Sequence, residues 1–232
     1  MYVHNYVPDP LEVPGNITEE PYAERLAFIR RVTALHAISV CAIAGVTLAP
    51  IKVLPVSLAS AYVLLLLLTL CLLRIVFRGT KTEAMSSLGL LPIVIVIFGM
   101  ASASWLRAGF PVWAACIGLA CGLTYTMLCG RDFSFVGQFS LSLIASSAIV
   151  SIGAIVLSLD PMHAAKALAW NACYLLFYVY DLASLLARRR RGEELAAVVD
   201  LYRDVLNVFG WVVRVIAHWR KHRIWTLPPR WS

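Results

Sequence analysis

Charge is what this sequence has least of. Only 14% of its 232 residues are Asp, Glu, Lys or Arg, against roughly 25% in a soluble domain. With 60% hydrophobic residues and a mean hydropathy of +0.78, the composition excludes an ordinary soluble domain and describes a polytopic membrane protein. Other absences narrow the chemistry. The six cysteines (Cys41, Cys71, Cys116, Cys121, Cys129, Cys173) include no C-x-x-C pair and fall in or at the ends of apolar runs. They are expected to be free thiols that pack as small residues, not a redox pair or zinc site. No P-loop, nucleophile elbow or dinucleotide fingerprint occurs, so neither an enzyme nor a cofactor is implied. Residues 1–25 hold prolines and acids but no apolar core, which predicts a largely disordered tail and no cleavable signal peptide.

Apolar runs fill the rest. A hydrocarbon core of ~30 Å needs about 20 apolar residues in a helix, and six stretches meet that test: 32–50, 54–77, 87–106, 111–129, 136–159 and 163–186. The connections between them are short, which makes successive helices antiparallel neighbours in a bundle. A seventh stretch, 195–217, is interrupted by Asp200, Arg203, Asp204, Asn207 and Arg214. Their spacing places them along one helical face, while Leu201, Val205, Val208, Val212 and Val215 favour another. Two forms fit this pattern: an amphipathic helix lying on the membrane, or a central helix shielded from lipid with its polar stripe facing a wet interior. The expected organisation is a membrane domain over 26–217 and a basic tail, HWRKHR and beyond, over 218–232.

The net charge of +7 sits between the apolar runs, which reads as topology and contact with anionic headgroups; no nucleic-acid partner is expected. Arg25, Arg30 and Arg31 precede the first span. Arg74, Arg78 and Lys81 follow the second, Arg131 the fourth, and Arg188 to Arg191 the sixth. The opposite connections carry only Lys52, Arg107 and Lys166. That asymmetry predicts a cytosolic N-terminus. Small residues crowd the middle: Gly118 and Gly122 form a G-x-x-x-G step, and the fifth span carries Ser140, Ser142, Ser146, Ser147 and Ser151. Close helix packing explains both, with a hydroxyl-lined path as the alternative. Asn16-Ile17-Thr18 is a formal glycosylation sequon, read as chance on the cytosolic side. His36 is expected to be packed or hydrogen-bonded, and His218 with His222, enclosing Arg220 and Lys221, is a poor zinc pair.

Asp181 and Asp204 carry the chemistry. A carboxylate at membrane depth costs roughly several kcal/mol unless paired, protonated or wetted, so it marks a functional site by default. Asp181 lies ~10 Å below the arginine cluster and Asp204 ~13 Å along the seventh segment, at 1.5 Å per residue. The hairpin between them brings both acids to similar depth. Like charges in a low-dielectric site cannot both ionise cheaply, so such a pair shares a proton. When doubly ionised it offers hard oxygen ligands for a transient Ca²⁺. The competing reading is that Asp181 serves a structural salt bridge with an arginine at the end of the second span.

At these residues the chain resembles a family. GRDFSFVGQF (130–139), YVYDLASLL (178–186), LYRDVLNVF (201–209) and ERLAFIRRV (24–32) are similar, in order and spacing, to motifs of the Bax inhibitor (transmembrane Bax inhibitor motif) proteins. The resemblance implies an all-α, seven-helix membrane bundle with the last helix central, passing Ca²⁺ down its gradient in a pH-sensitive way and modulating intracellular Ca²⁺ and cell death. It implies Asp181 and Asp204 as the pH-sensing dyad, Arg74 or Arg78 as its latch, and Asp200 and Asn207 as supporting polar groups. Intracellular membranes, or a bacterial inner membrane, are the expected location, with lipid, Ca²⁺ and other membrane proteins as partners. Leu-Ala-Ser after Asp181, where many members have Thr-Gln or Leu-Asn-Gln, is a departure. The Arg-rich composition and the divergence would also suit a viral, cytomegalovirus-type copy. The alternative function is a non-conducting membrane adaptor, with the dyad kept as a folding lock.

Overall fold

A computed structural model describes residues 13–49, 53–77, 81–130 and 133–207. Arg78, Arg131, Arg214, His218, His222 and the tail at 218–232 lie outside these residues. Seven α-helices make up the described chain, without a strand among them: α1 (Tyr22–Leu48), α2 (Val56–Phe77), α3 (Lys81–Arg107), α4 (Trp113–Leu128), α5 (Phe135–Val156), α6 (Pro161–Arg188) and α7 (Glu194–Arg203). The chain tightens into a 3-10 turn over Asp204–Asn207. The protein is thus an all-α bundle, and its helices match the expected order.

Four helices are long and apolar enough to cross a membrane: α1, α2, the 85–107 part of α3, and α5. The remaining two expected spans differ. Helix α4 has 16 residues, ~24 Å at 1.5 Å per residue, and falls short of a full span. Helix α6 has ample length at 28 residues but spends positions on His163, Lys166, Asn171 and Asp181. Two of those, Asn171 and Asp181, are turned inside the bundle. The outer faces are the opposite. Leu64, Leu65, Leu68, Leu72, Ile75 and Val76 on α2 are all exposed, as are Leu141, Ile144, Ile152 and Ile155 on α5. Apolar bands of this size fit lipid and not water.

Helix α1 packs on α3, α4 and α7; α2 on α3; and α4, α5 and α6 form a second cluster. Helix α7 is the hub. It contacts α1, α2, α3 and α6, and every residue from Ala196 to Arg203 is buried. A helix buried all round is a central helix, so the lipid-surface form is excluded for the described part of this segment, Glu194–Arg203. The G-x-x-x-G step does bring helices together. A β-carbon on Gly118 would lie 2.5 Å from Asn171 Oδ1, so glycine there admits the α6 amide, whose Nδ2 donates to Ser146 Oγ on α5 (2.8 Å).

The expected loose tail over 1–25 needs correction from residue 13 onward. Val13 N donates to Ala187 O (3.1 Å) and Ile17 N to Arg189 O (3.0 Å), so the segment docks on the end of α6. Ile17 is buried, and the sequon Asn16 caps the 3-10 turn Ile17–Glu19 through Thr18 N. An apolar anchor and a side-chain cap hold it, and α1 begins at Tyr22. The six cysteines are free, as expected, although Cys41, Cys116 and Cys173 are exposed instead of packed inside.

Candidate functional site: a buried acid–arginine network

Helix α6 presents Asp181, Ser184 and Arg188 at intervals of three and four, one stripe along a single face. The chain reverses over 189–193, helped by Gly192 at φ +87, a value only glycine adopts without strain. Helix α7 then returns antiparallel with Asp200, Arg203 and Asp204 on one face. These two stripes meet.

One guanidinium joins the two aspartates. Arg188 Nη2 lies 2.8 Å from Asp181 Oδ1, and Arg188 Nη1 lies 2.5 Å from Asp204 Oδ2. Ser184 Oγ accepts from Arg188 Nη2 (2.6 Å) and donates to Asp181 Oδ1 (3.2 Å). Arg203 takes the other oxygen of Asp204, with Nε and Nη2 each 3.0 Å from Oδ1, and reaches Asp200 Oδ1 through Nη1 (2.7 Å). Arg189 holds Asp200 Oδ2 through Nε (2.7 Å) and Nη2 (2.6 Å). Distances of this kind are those of charge-assisted hydrogen bonds.

The network is buried. Asp181, Asp200 and Asp204 are 4%, 1% and 2% exposed, and they face Arg188, Arg189 and Arg203, with Glu193 also 3.7 Å from Arg189 Nη1. Buried charges persist only when paired this completely. The pairing is uneven in one place. Asp200 and Asp204 have both oxygens in ion pairs, whereas Asp181 Oδ2 is buried with no hydrogen-bond partner.

Sequence pattern located Asp181, Asp204 and Asp200, and the structure brings all three together. Asn207 closes the 3-10 turn, and its side chain lies outside the described residues, as does Arg78. Arg74 stands beside the network, lining with Ser86, Ser87, Asp200 and Arg203 a cavity of about 20 Å³, room for about one water. The group that bridges the dyad is Arg188. It was legible as the seventh residue after Asp181, two turns along the same face, but a four-arginine run reads as a topology signal. Arg189, only 2% exposed, was hidden by the same run.

Comparison with family models, with curated proteins and with solved structures returns no match. Geometry therefore carries the argument.

The second face of α7 is different. Leu201, Tyr202 and Val205 border a cavity of about 440 Å³ between the helices. Around it His36 Nε2 pairs with Tyr174 Oη (2.8 Å) and stacks on Tyr178 at 5.4 Å, and Tyr202 Oη pairs with Ser39 Oγ (2.6 Å). His36 is packed and hydrogen-bonded, as its isolated position predicts. Among the described residues no group of three or more His, Cys, Asp or Glu side chains is set to hold a metal.

Proposed function

We propose that the protein is a non-enzymatic, pH-sensitive, Ca²⁺-permeable leak channel of the Bax inhibitor type, held closed by the acid–arginine network. It acts in an intracellular or bacterial inner membrane, with the N-terminus cytosolic. The observation that carries this reading is one guanidinium, Arg188, joining carboxylates of two different helices while one oxygen of Asp181 goes without a donor. Asp204 is balanced on both oxygens and stays ionised. Asp181, paired through Oδ1 alone, is the carboxylate that gives up least by taking a proton on its other oxygen. Protonation there halves the counter-charge on Arg188 and loosens the join between α6 and α7. The aromatic cavity lies across α7 from the network, so movement of this one helix is felt on both of its sides. The motifs YVYDLASLL and LYRDVLNVF, which carry the family resemblance, supply Asp181 and Ser184 on one side and Arg203 and Asp204 on the other, while Arg188, Arg189 and Asp200 lie outside them.

The test is Ca²⁺ flux in proteoliposomes. Wild-type flux should depend on pH between about pH 6 and 8, where a coupled carboxylate pair titrates. Asp181→Asn and Asp204→Asn should each remove most of that dependence, and the double variant should add little, because the two act as a unit. Wild-type protein that passes no Ca²⁺ at any pH refutes the channel. The second reading, a non-conducting membrane adaptor, draws on the buried ion pairing of the network, which serves a folding lock equally well. It predicts lower thermal stability in the same variants and no pH-dependent flux.

A further inference from the structure

The 440 Å³ cavity falls in the range of ~300–1,000 Å³ that accommodates drug-sized molecules. Its wall is ring-rich, with Phe98, Trp105, Phe110, Trp170, Tyr174 and Phe177 contributed by α3, α6 and the connection between α3 and α4. No Asp, Glu, Lys or Arg occurs among its described lining residues. Most polar atoms of the wall are hydrogen-bonded, His36 Nδ1 being buried without a partner. The Tyr174, Tyr178 and Tyr202 hydroxyls bond His36, Thr33 and Ser39, and Trp105 Nε1 donates to Ser60 Oγ at 3.2 Å. Such a space offers water few partners and a bare cation few ligands, and apolar cavities of this kind take up apolar guests.

The cavity also has a mouth. Val56, Phe110 and Trp170 line it and are exposed, as is Val205 beside Asp204. Val56 and Phe110 sit at the end of the bundle that carries the α1–α2 and α3–α4 connections, opposite the acid–arginine network, and Trp170 stands further along α6 from that end. Phe110 and Trp170 stand with ring centroids 6.3 Å apart. Aromatic side chains at a helix-bundle end mark the membrane–water interface, so this opening faces the headgroup zone of the leaflet away from the network.

We infer that the cavity is a binding site for a neutral, ring-bearing lipophile that enters from that leaflet, and that its occupancy bears on α7 through Leu201, Tyr202 and Val205. Those residues share a ten-residue helix and its 3-10 extension with Asp200, Arg203 and Asp204, so a guest on one face acts on the ion pairs of the other. Binding stands on the cavity alone; the effect on flux rests on the channel reading.

Full-length protein in nanodiscs is photolabelled with a diazirine-bearing alkylphenol, and the modified residues are mapped by mass spectrometry. Saturable labelling is expected at Phe98, Trp105 and Phe177, displaced by the unmodified alkylphenol. Ala115→Leu and Ser102→Leu, each filling the cavity from a half-buried lining position, should cut this labelling at least about tenfold. Labelling of the lipid-facing Leu68 and Ile152 should not change. Two independent variants, each checked for unaltered melting, guard against misfolding. Labelling that is unsaturable, spread equally over outer faces, or indifferent to both variants overturns the site. Preference for a quaternary-ammonium analogue of equal body size overturns the neutral class. In proteoliposomes the alkylphenol should alter Ca²⁺ flux in wild type and not in Ala115→Leu. Specific labelling with unaltered flux would refute the coupling, whereas absence of flux at every pH would refute the channel and leave the site to the labelling result.

Discussion

The two faces of α7 are held by different physics. Asp200, Arg203 and Asp204 on one face are fixed by short, directional ion pairs with Arg188 and Arg189. Leu201, Tyr202 and Val205 on the other border open space. Packing also locates this helix, since Ala197, Val198, Val199, Leu201 and Tyr202 belong to the apolar core, as interdigitated side chains do in other cores. The cavity beside Tyr202 nevertheless leaves that side room to move which the ion-paired side lacks.

The sharpest way to break the comparison is to remove charge from the tethered face. Arg189→Met leaves Asp200 with a buried, under-compensated charge and should cost roughly 3–5 kcal/mol, read as loss of folded protein on size-exclusion chromatography. Pairing it with Asp200→Leu removes both charges and should restore most of that loss, because an apolar pair can substitute for a buried ion pair. No recovery in the double variant would mean that the network has another essential partner. A smaller effect is expected on the open face. Tyr202→Ala removes a ring that packs on His36 and Phe98 at 5.2 and 5.3 Å and should cost about 3 kcal/mol, the low end for an aromatic truncation, since the space beside it is already empty. Tyr202→Phe gives up only the bond to Ser39, about 1 kcal/mol. Equal losses for the two would show that the hydroxyl, and not the ring, anchors this face.

The smallest effect belongs to a site remote from both faces. Asp160 caps α6 by accepting from Met162 N and His163 N, at 2.9 and 3.1 Å, and pairs with the His163 ring. The His163 side chain first, and its backbone amide next, hold the Asp160 carboxyl below the usual carboxylate range. A lowered value in the folded state means stabilisation that is present at neutral pH and lost as pH falls through that value. Asp160→Ala should lower the melting temperature slightly at pH 7, and the gap should close in acid. A gap of constant size would mean that the cap acts through its backbone geometry alone.

Much of this arrangement was legible because membranes impose simple rules. Runs of about 20 apolar residues marked the helices. The spacing of Asp200, Arg203 and Asp204 against Leu201 and Val205 marked the two faces of α7 before any coordinates did. The acids stood out because a carboxylate in an apolar run needs a reason. The arginines did not, since Arg188 to Arg191 serve topology by composition, and only the reversal at Gly192 shows which of them turn inward. Arg189 is buried while Arg191 reaches out to Glu24 at 3.5 Å, a division that no local pattern encodes. The docking of residues 13–20 was illegible for the same reason, as its partners lie at the far end of α6.

That docked segment has a consequence in time. The amides of Val13 and Ile17 bond carbonyls of Ala187 and Arg189, and Arg190 Nε donates to Pro14 O at 3.0 Å. These contacts join parts of the chain about 170 residues apart, so the loop-closure cost falls due late. At a synthesis rate of ~5–20 residues per second, residues 13–17 wait roughly ten to thirty seconds for their partners. The hairpin of α6 and α7 is sealed by a segment made before α1, after the intervening helices have been synthesised. An N-terminal fusion is therefore expected to disturb the last step of assembly, leaving insertion of the early helices intact.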